Sequence, residues 1–149
     1  MYPVLNFPPY EPEVVQLRNK PHLFDPVRKK WVVATPEEWV RQHVIRYLSE
    51  NLGYPLSHMA IECSLKVNRL AKRADIVVYD HHLKPAILVE CKAPSVKMDM
   101  KVLEQAARYN LAFRVPVVFV TNGITHYAAS IDFETGNTKT ISSLPLWKS

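Results

Sequence analysis

The sequence predicts an α/β domain, a central mixed β-sheet flanked by helices. Three observations carry the prediction. Segments of helical period alternate with strand-length apolar runs, in the order helix, strand, hairpin, helix, strand, hairpin. Val115-Pro116-Val117-Val118-Phe119-Val120 is a continuous apolar run, as expected of a strand covered on both faces. The 149 residues are 48% hydrophobic and 22% charged, the composition of an ordinary globular chain large enough for one core. Residues 1–34 read as an N-terminal extension and residues 35–149 as a single domain.

The extension holds much of the proline and shows little period. It is expected to run extended over the surface, with a short strand or hairpin around Arg28-Lys29-Lys30 and Trp31-Val32-Val33. Thr35-Pro36-Glu37-Glu38 then starts a helix. Threonine suits the N-cap, proline the first helical position, and Glu38 completes a capping box. The helix should run to about Asn51, with Gly53 stopping it. Its apolar stripe is Val40, Val44, Tyr47, Leu48 and Leu52. On a helical projection Glu37 falls near the centre of that stripe and Glu38 well off it. Glu37 is therefore expected to point inward, with Arg41 one turn on as its partner.

Ile61 to Val67 reads as the next strand. Lys66, Arg69, Lys72 and Arg73 cluster before Asp75, where a basic turn would hold a phosphate backbone. A solvated turn is the plainer reading for Lys66 and Arg69. Ile76 to Tyr79 and Ala86 to Cys91 form a hairpin across Asp80 to Pro85. With His81 to Lys84 as the loop, Tyr79 meets Ala86, Val77 meets Leu88 and Asp75 meets Glu90. Asp75, Val77 and Tyr79 share a face. Glu90 and Lys92 also share one, with Val89 and Cys91 on the other. Opposed like charges on one face are destabilising. Positive charge is therefore expected between the two carboxylates, part from Lys92 and the rest from a divalent cation. The alternative is a solvated face of ordinary surface ion pairs. The same count sets Arg73 opposite Lys92, so either the pairing ends before that point or an anion sits there.

Asp99 to Phe113 reads as a second helix with Val102, Ala106, Tyr109 and Phe113 as its core stripe. Gln105 and Tyr109 lie one turn apart along one side. Arg108 joins Lys72 and Arg73 as a candidate phosphate contact. Ile124 to Ile131 and Asn137 to Ile141 form a closing hairpin. His126 and the pair His81-His82 read as packing or surface residues. Cys63 and Cys91 lie in strands without metal-site spacing and are expected to be free thiols, Cys91 facing the core. No apolar run approaches the roughly 20 residues that span a bilayer. The first residues lack the pattern of a signal peptide. A cytoplasmic location without a membrane partner is the expectation. The net charge of +5 is compatible with a polyanionic partner.

Asp75, a hairpin, and then Glu90-Cys91-Lys92 resembles the PD-(D/E)xK nuclease signature, with Ala74 where that name has proline. The wider context is TPEEWVRQ (Thr35 to Gln42), RADIVV (Arg73 to Val78), VECKAP (Val89 to Pro94) and TNG (Thr121 to Gly123). Together they resemble the N-terminal nuclease domain of type I restriction enzyme R subunits, from roughly Phe24 to Trp147. The resemblance implies a restriction-endonuclease-like fold and a Mg²⁺- or Mn²⁺-dependent endonuclease. Its partner would be DNA, and its setting a homodimer or a larger restriction-type assembly. The resemblance also implies Asp75, Glu90 and the Cys91 backbone carbonyl as metal ligands and Lys92 as the catalytic lysine. Glu37 would be a further acid beside the metal. Gln105, in a Q-x-x-x-Y element with Tyr109, would position the reactants. The competing reading is a nucleic-acid-binding module of the same fold that is inactive alone or needs a partner.

Overall fold

The proline-rich start builds more than a short hairpin. In the computed structural model, which describes residues 2–148, it forms three strands: β1 (Val14–Leu17), β2 (Lys20–Asp25) and β3 (Lys30–Val33). They pair antiparallel in that order. Met1 and Ser149, the outer ends of the two predicted segments, lie outside the described residues. Leu5, Leu23 and Ala34 are buried in one core with the helix that follows, α1 (Pro36–Arg46).

The start of α1 follows its sequence signature. Thr35 Oγ1 accepts the Glu38 N–H at 3.1 Å, and Pro36 occupies the first turn. After Arg46 the backbone widens at Tyr47–Asn51, where the Leu52 N–H reaches back five residues to the Tyr47 carbonyl. Gly53, at φ +84°, then turns the chain away. Val40, Val44, Leu48 and Leu52 are buried as the stripe predicts. Every residue from Glu38 to Ile45 is also buried, because the N-terminal sheet covers the side of α1 that the main sheet does not.

That double cover reverses the expected roles of the two glutamates. Glu37 is exposed and Glu38 is buried. A helical projection assumes one buried face, and α1 has two. The predicted Glu37–Arg41 pair does not form among the described residues. Arg41 instead meets Glu38, Glu62 and Asp75.

The main sheet contains six strands in chain order: β4 (Met59–Val67), β5 (Leu70–Tyr79), β6 (Pro85–Cys91), β7 (Val117–Thr121), β8 (His126–Ile131) and β9 (Thr138–Ile141). All neighbours are antiparallel except β6 and β7, so the sheet is mixed, as predicted. The parallel step needs a crossover, and the crossover carries α2 (Met100–Asn110). The two helices pack against opposite faces. Val40 and Val44 of α1 share a core with Ile76, Val78, Ile87, Val89 and Phe119. Leu103, Ala106 and Ala107 of α2 share another with Val77, Leu88, Val118 and Val120. All five residues of β7 are buried, as its apolar run requires.

Asp99 caps α2, accepting the Val102 N–H at 3.2 Å. The buried face is Leu103, Ala106, Ala107 and Asn110, which differs from the predicted stripe. The helix is rotated so that Tyr109 is 41% exposed. The helix also ends before Phe113, at Asn110, whose side-chain amide donates to the Val115 carbonyl at 2.6 Å. In the β5–β6 hairpin Val77 meets Leu88, as predicted, and Ile76 meets Val89. Tyr79 pairs with Pro85 rather than Ala86, because the register shifts between Val78 and Tyr79. Cys63 and Cys91 are free thiols. Cys91 is buried, and burial pushes its thiol pKa well up. Among the described residues no helix is long and apolar enough to cross a membrane.

Candidate active site

The β5–β6 ladder ends at Ile76 and Val89, one residue short of the two carboxylates. Asp75 is held by groups on either side of it. Its Oδ2 accepts the Cys91 amide N–H at 2.7 Å, and its Oδ1 accepts from Arg41 Nη2 at 3.2 Å. The Cys91 amide belongs to the peptide that links it to Glu90, so both carboxylates are anchored at the same peptide unit.

Strand alternation breaks at this point. Ile76 and Val78 pack on the α1 side, yet Ala74 packs with Val77 on the α2 side. In β4 the same change separates Ile61 from Cys63 and Leu65. Between Ile61 and Cys63 lies Glu62, at φ +52°, a left-handed conformation that costs a non-glycine residue about 1 kcal/mol or more. Asp75 therefore does not simply continue the Val77–Tyr79 face. It sits at the twist, and its carboxylate reaches back to α1.

Glu90 and Lys92 open on a groove of about 770 Å³. Glu37, Lys72, Arg73, Gln105 and Tyr109 also line it. The sequence-predicted residues Glu37, Glu90, Lys92 and Gln105 are thus brought together, and Asp75 is not one of the groove's lining residues. Lys92 is fixed at its backbone, where its N–H donates to the Thr121 carbonyl at 2.8 Å. Asn122, of the TNG turn, ties down the segment after Lys92 by donating to the Val96 carbonyl at 2.8 Å. Tyr109 OH donates to the Ala71 carbonyl at 3.0 Å, which braces α2 against β5. The Lys72 ammonium pairs with Glu90 and lies 5.1 Å from the centre of the Tyr109 ring. Arg108 is exposed and takes no part in the groove. Arg73 pairs with Glu62, and the ladder stops before Arg73 and Lys92 would oppose each other. Lys66 and Arg69 are exposed.

Behind Asp75 lies a chain of charges that sequence reasoning did not find. Asp25, fully buried, accepts from the Val27 and Arg28 amides, both at 2.8 Å, from Arg28 Nε at 2.7 Å and from Gln42 Nε2 at 3.0 Å. Burial by itself would raise the Asp25 pKa. The hydrogen bonds from Arg28 and Gln42 outweigh it and hold the carboxyl below its ordinary value. Arg28 Nη2 continues to Glu38 at 2.8 Å. Arg41 Nη1 then donates to Glu38 at 3.1 Å and Glu62 at 3.2 Å, while its Nη2 holds Asp75. Burial opposes the Arg41 charge, but Glu38 and Asp75 restore it and hold its pKa above the ordinary value. The hydrogen bond from Arg73 holds Glu62 below the usual carboxylate range. The N-terminal segment thus supplies the arginine and aspartate that begin a path to Asp75.

The description "Type I restriction enzyme R protein N terminus" fits residues 36–145, well over half of the chain. The chain belongs to the type I restriction enzyme R protein N-terminal family. A solved structure, a fragment described as an HsdR subunit of a type I restriction enzyme from Vibrio vulnificus YJ016, shares the fold with a TM-score of 0.51 at 20% identity. The match covers 75% of this chain and 24% of that one. No curated protein matches this chain. Within the R-protein family region fall α1, the whole six-stranded sheet and every groove residue. Asp25 and Arg28 lie before it. Their neighbours in sequence, a basic cluster in a turn, gave no sign of burial. The one signal was Arg41, which follows Val40 of the apolar stripe, since a cation buried there needs an acidic partner.

Proposed function

We propose that this R-protein N-terminal domain is a metal-dependent nuclease of the PD-(D/E)xK type, with a restriction-endonuclease-like fold, hydrolysing phosphodiester bonds in DNA. One observation carries the reading. Glu90 and Lys92 open on the same groove, and Asp75 is hydrogen-bonded to the peptide between them. The donors suit a hard cation, since they are carboxylate oxygens. Glu90 Oε1 is buried and is met by the Lys72 ammonium, so the carboxylate is kept as an anion at the groove. Among the described residues no three His, Cys, Asp or Glu side chains cluster. A Mg²⁺ ion held by one or two carboxylates, with water and substrate oxygens completing its shell, would need no larger cluster.

Asp75, Glu90 and the Cys91 carbonyl would hold Mg²⁺ or Mn²⁺. The ion supplies Lewis-acid polarisation of a phosphoryl oxygen and acidifies a bound water. Lys92, fixed by its backbone bond to Thr121, stabilises the charge that develops on the phosphoryl group or takes the proton of the attacking water. Gln105 orients the reactants from the α2 side. Glu37, exposed on the groove, supports the site from the start of α1. The domain acts in the cytoplasm, as a homodimer or within a larger restriction-type assembly. A second reading, a nucleic-acid-binding module that needs a partner for cleavage, is favoured by the cations Arg41 and Lys72. They already neutralise Asp75 and Glu90 without a metal.

The test is cleavage of supercoiled DNA, single-stranded DNA and RNA with Mg²⁺, Mn²⁺ or EDTA. Metal-dependent cutting lost in folded Glu90→Ala and Lys92→Ala supports the nuclease and identifies its substrate. Equal cutting by both variants refutes the assignment. Salt-sensitive binding without cutting favours the module.

A further inference from the structure

We infer that Lys72 is a built-in placeholder for the cation at Glu90 and that metal binding switches its ammonium group from pairing with Glu90 to pairing with a substrate phosphate. The inference rests on the nuclease reading of the groove. Glu90 Oε1 is buried, and the Lys72 ammonium is the cation that meets it. A buried carboxylate left alone is costly, so this charge stands in for a ligand.

The two cations at the site differ in kind. Arg41 is 7% exposed, holds three carboxylates and belongs to the packed interior of α1. Lys72 is 24% exposed, holds one carboxylate, and lies against the Tyr109 ring at the groove wall. A lysine is a compact charge on a flexible stem, and its contact with an aromatic face is not directional, so it moves readily where an arginine fork does not. A divalent cation on Glu90 would put like charges at contact distance, and Lys72 is the one free to leave. Its stem is rooted in β5 beside the groove, so the released ammonium stays at the groove, within reach of a phosphate bound there. Lys72 then becomes a phosphate contact that exists only when metal is bound. Unloaded protein therefore resists stray divalent cations, and metal and nucleic acid reinforce each other's binding.

Two measurements test this. The first is Mn²⁺ titration by calorimetry, without nucleic acid, on the wild type, Lys72→Met, Lys72→Gln and Glu90→Gln, with folding checked by circular dichroism. Both Lys72 variants should bind Mn²⁺ at least about tenfold tighter, since a repelling charge is gone. Adding Glu90→Gln should cancel the gain. Equal or weaker binding in both Lys72 variants overturns the placeholder. Absence of Mn²⁺ binding in the wild type and in both Lys72 variants sinks the metal-centre reading itself, a distinguishable failure that takes the inference with it. The second is duplex binding across a salt series, in Ca²⁺ to slow cleavage and in EDTA. In Ca²⁺, Lys72→Met should reduce the salt slope by about 1, and in EDTA by nothing. A slope unchanged in Ca²⁺ overturns the switch to phosphate.

Discussion

Replacing Arg41 with methionine tests whether the buried charges are part of the fold or incidental to it. The variant keeps an apolar stem like that of arginine and removes the guanidinium. Glu38, whose side chain is 10% exposed, would retain Arg28 at 2.8 Å and Gln42 at 3.0 Å. Removing one partner of a buried pair costs about 3–5 kcal/mol, and the retained Arg28 contact places Glu38 at the lower end. Asp75 and Glu62 are more open to water, so screening limits each to at most about 1 kcal/mol. Packing of the methionine returns part of this. The net expectation is a loss of about 3 kcal/mol in urea unfolding followed by far-UV circular dichroism, with unchanged m. That corresponds to about 6–12 °C in thermal midpoint. The double variant Arg41→Met with Glu38→Gln should lose less than the sum of the single changes, by about 1–3 kcal/mol. A loss under about 1 kcal/mol, or strict additivity, would refute the network as a structural element.

Asp25 predicts a pH dependence. Its folded pKa lies below the unfolded value, so its contribution is fully present above about pH 4 and is lost as pH falls through the folded value. Asp25→Asn should lower stability at pH 7 and flatten the acid limb below about pH 4, read from urea midpoints at each pH. An acid limb as steep as that of the wild type would contradict this. Gly123 sits at φ +89°, and a Cβ there would lie 2.8 Å from a Leu5 methyl and 3.2 Å from Val40 Cγ2. Gly123→Ala should cost about 1–3 kcal/mol through strain and overpacking, and a thermal midpoint within 1 °C of wild type, roughly the error of such a shift, would refute it.

The sequence by itself determined the elements that obey a local rule. The cap at Thr35, the stop at Gly53, the buried run of β7 and the Val77–Leu88 register each depend on a few neighbouring residues, and each is present. The shared groove of Glu90, Lys92 and Gln105 was readable for the same reason, since alternation along a strand and a turn of helix set which side chains share a surface. Tertiary structure decided the rest. Burial of Glu38 in place of Glu37 follows from a second sheet packing on α1, which no periodicity in α1 can report. The inward face of α2, Leu103, Ala106, Ala107 and Asn110, keeps the i, i+3, i+4, i+7 spacing of a helix, whereas the outward turn of Tyr109 is tied to the Ala71 carbonyl, 38 residues away in sequence. The hold of Arg41 on Asp75, and its link through Glu38 to Arg28, joins residues 34 and 10 positions apart in sequence. A charge's partner is a matter of distance in space, and only the packed chain brings these groups within reach of one another.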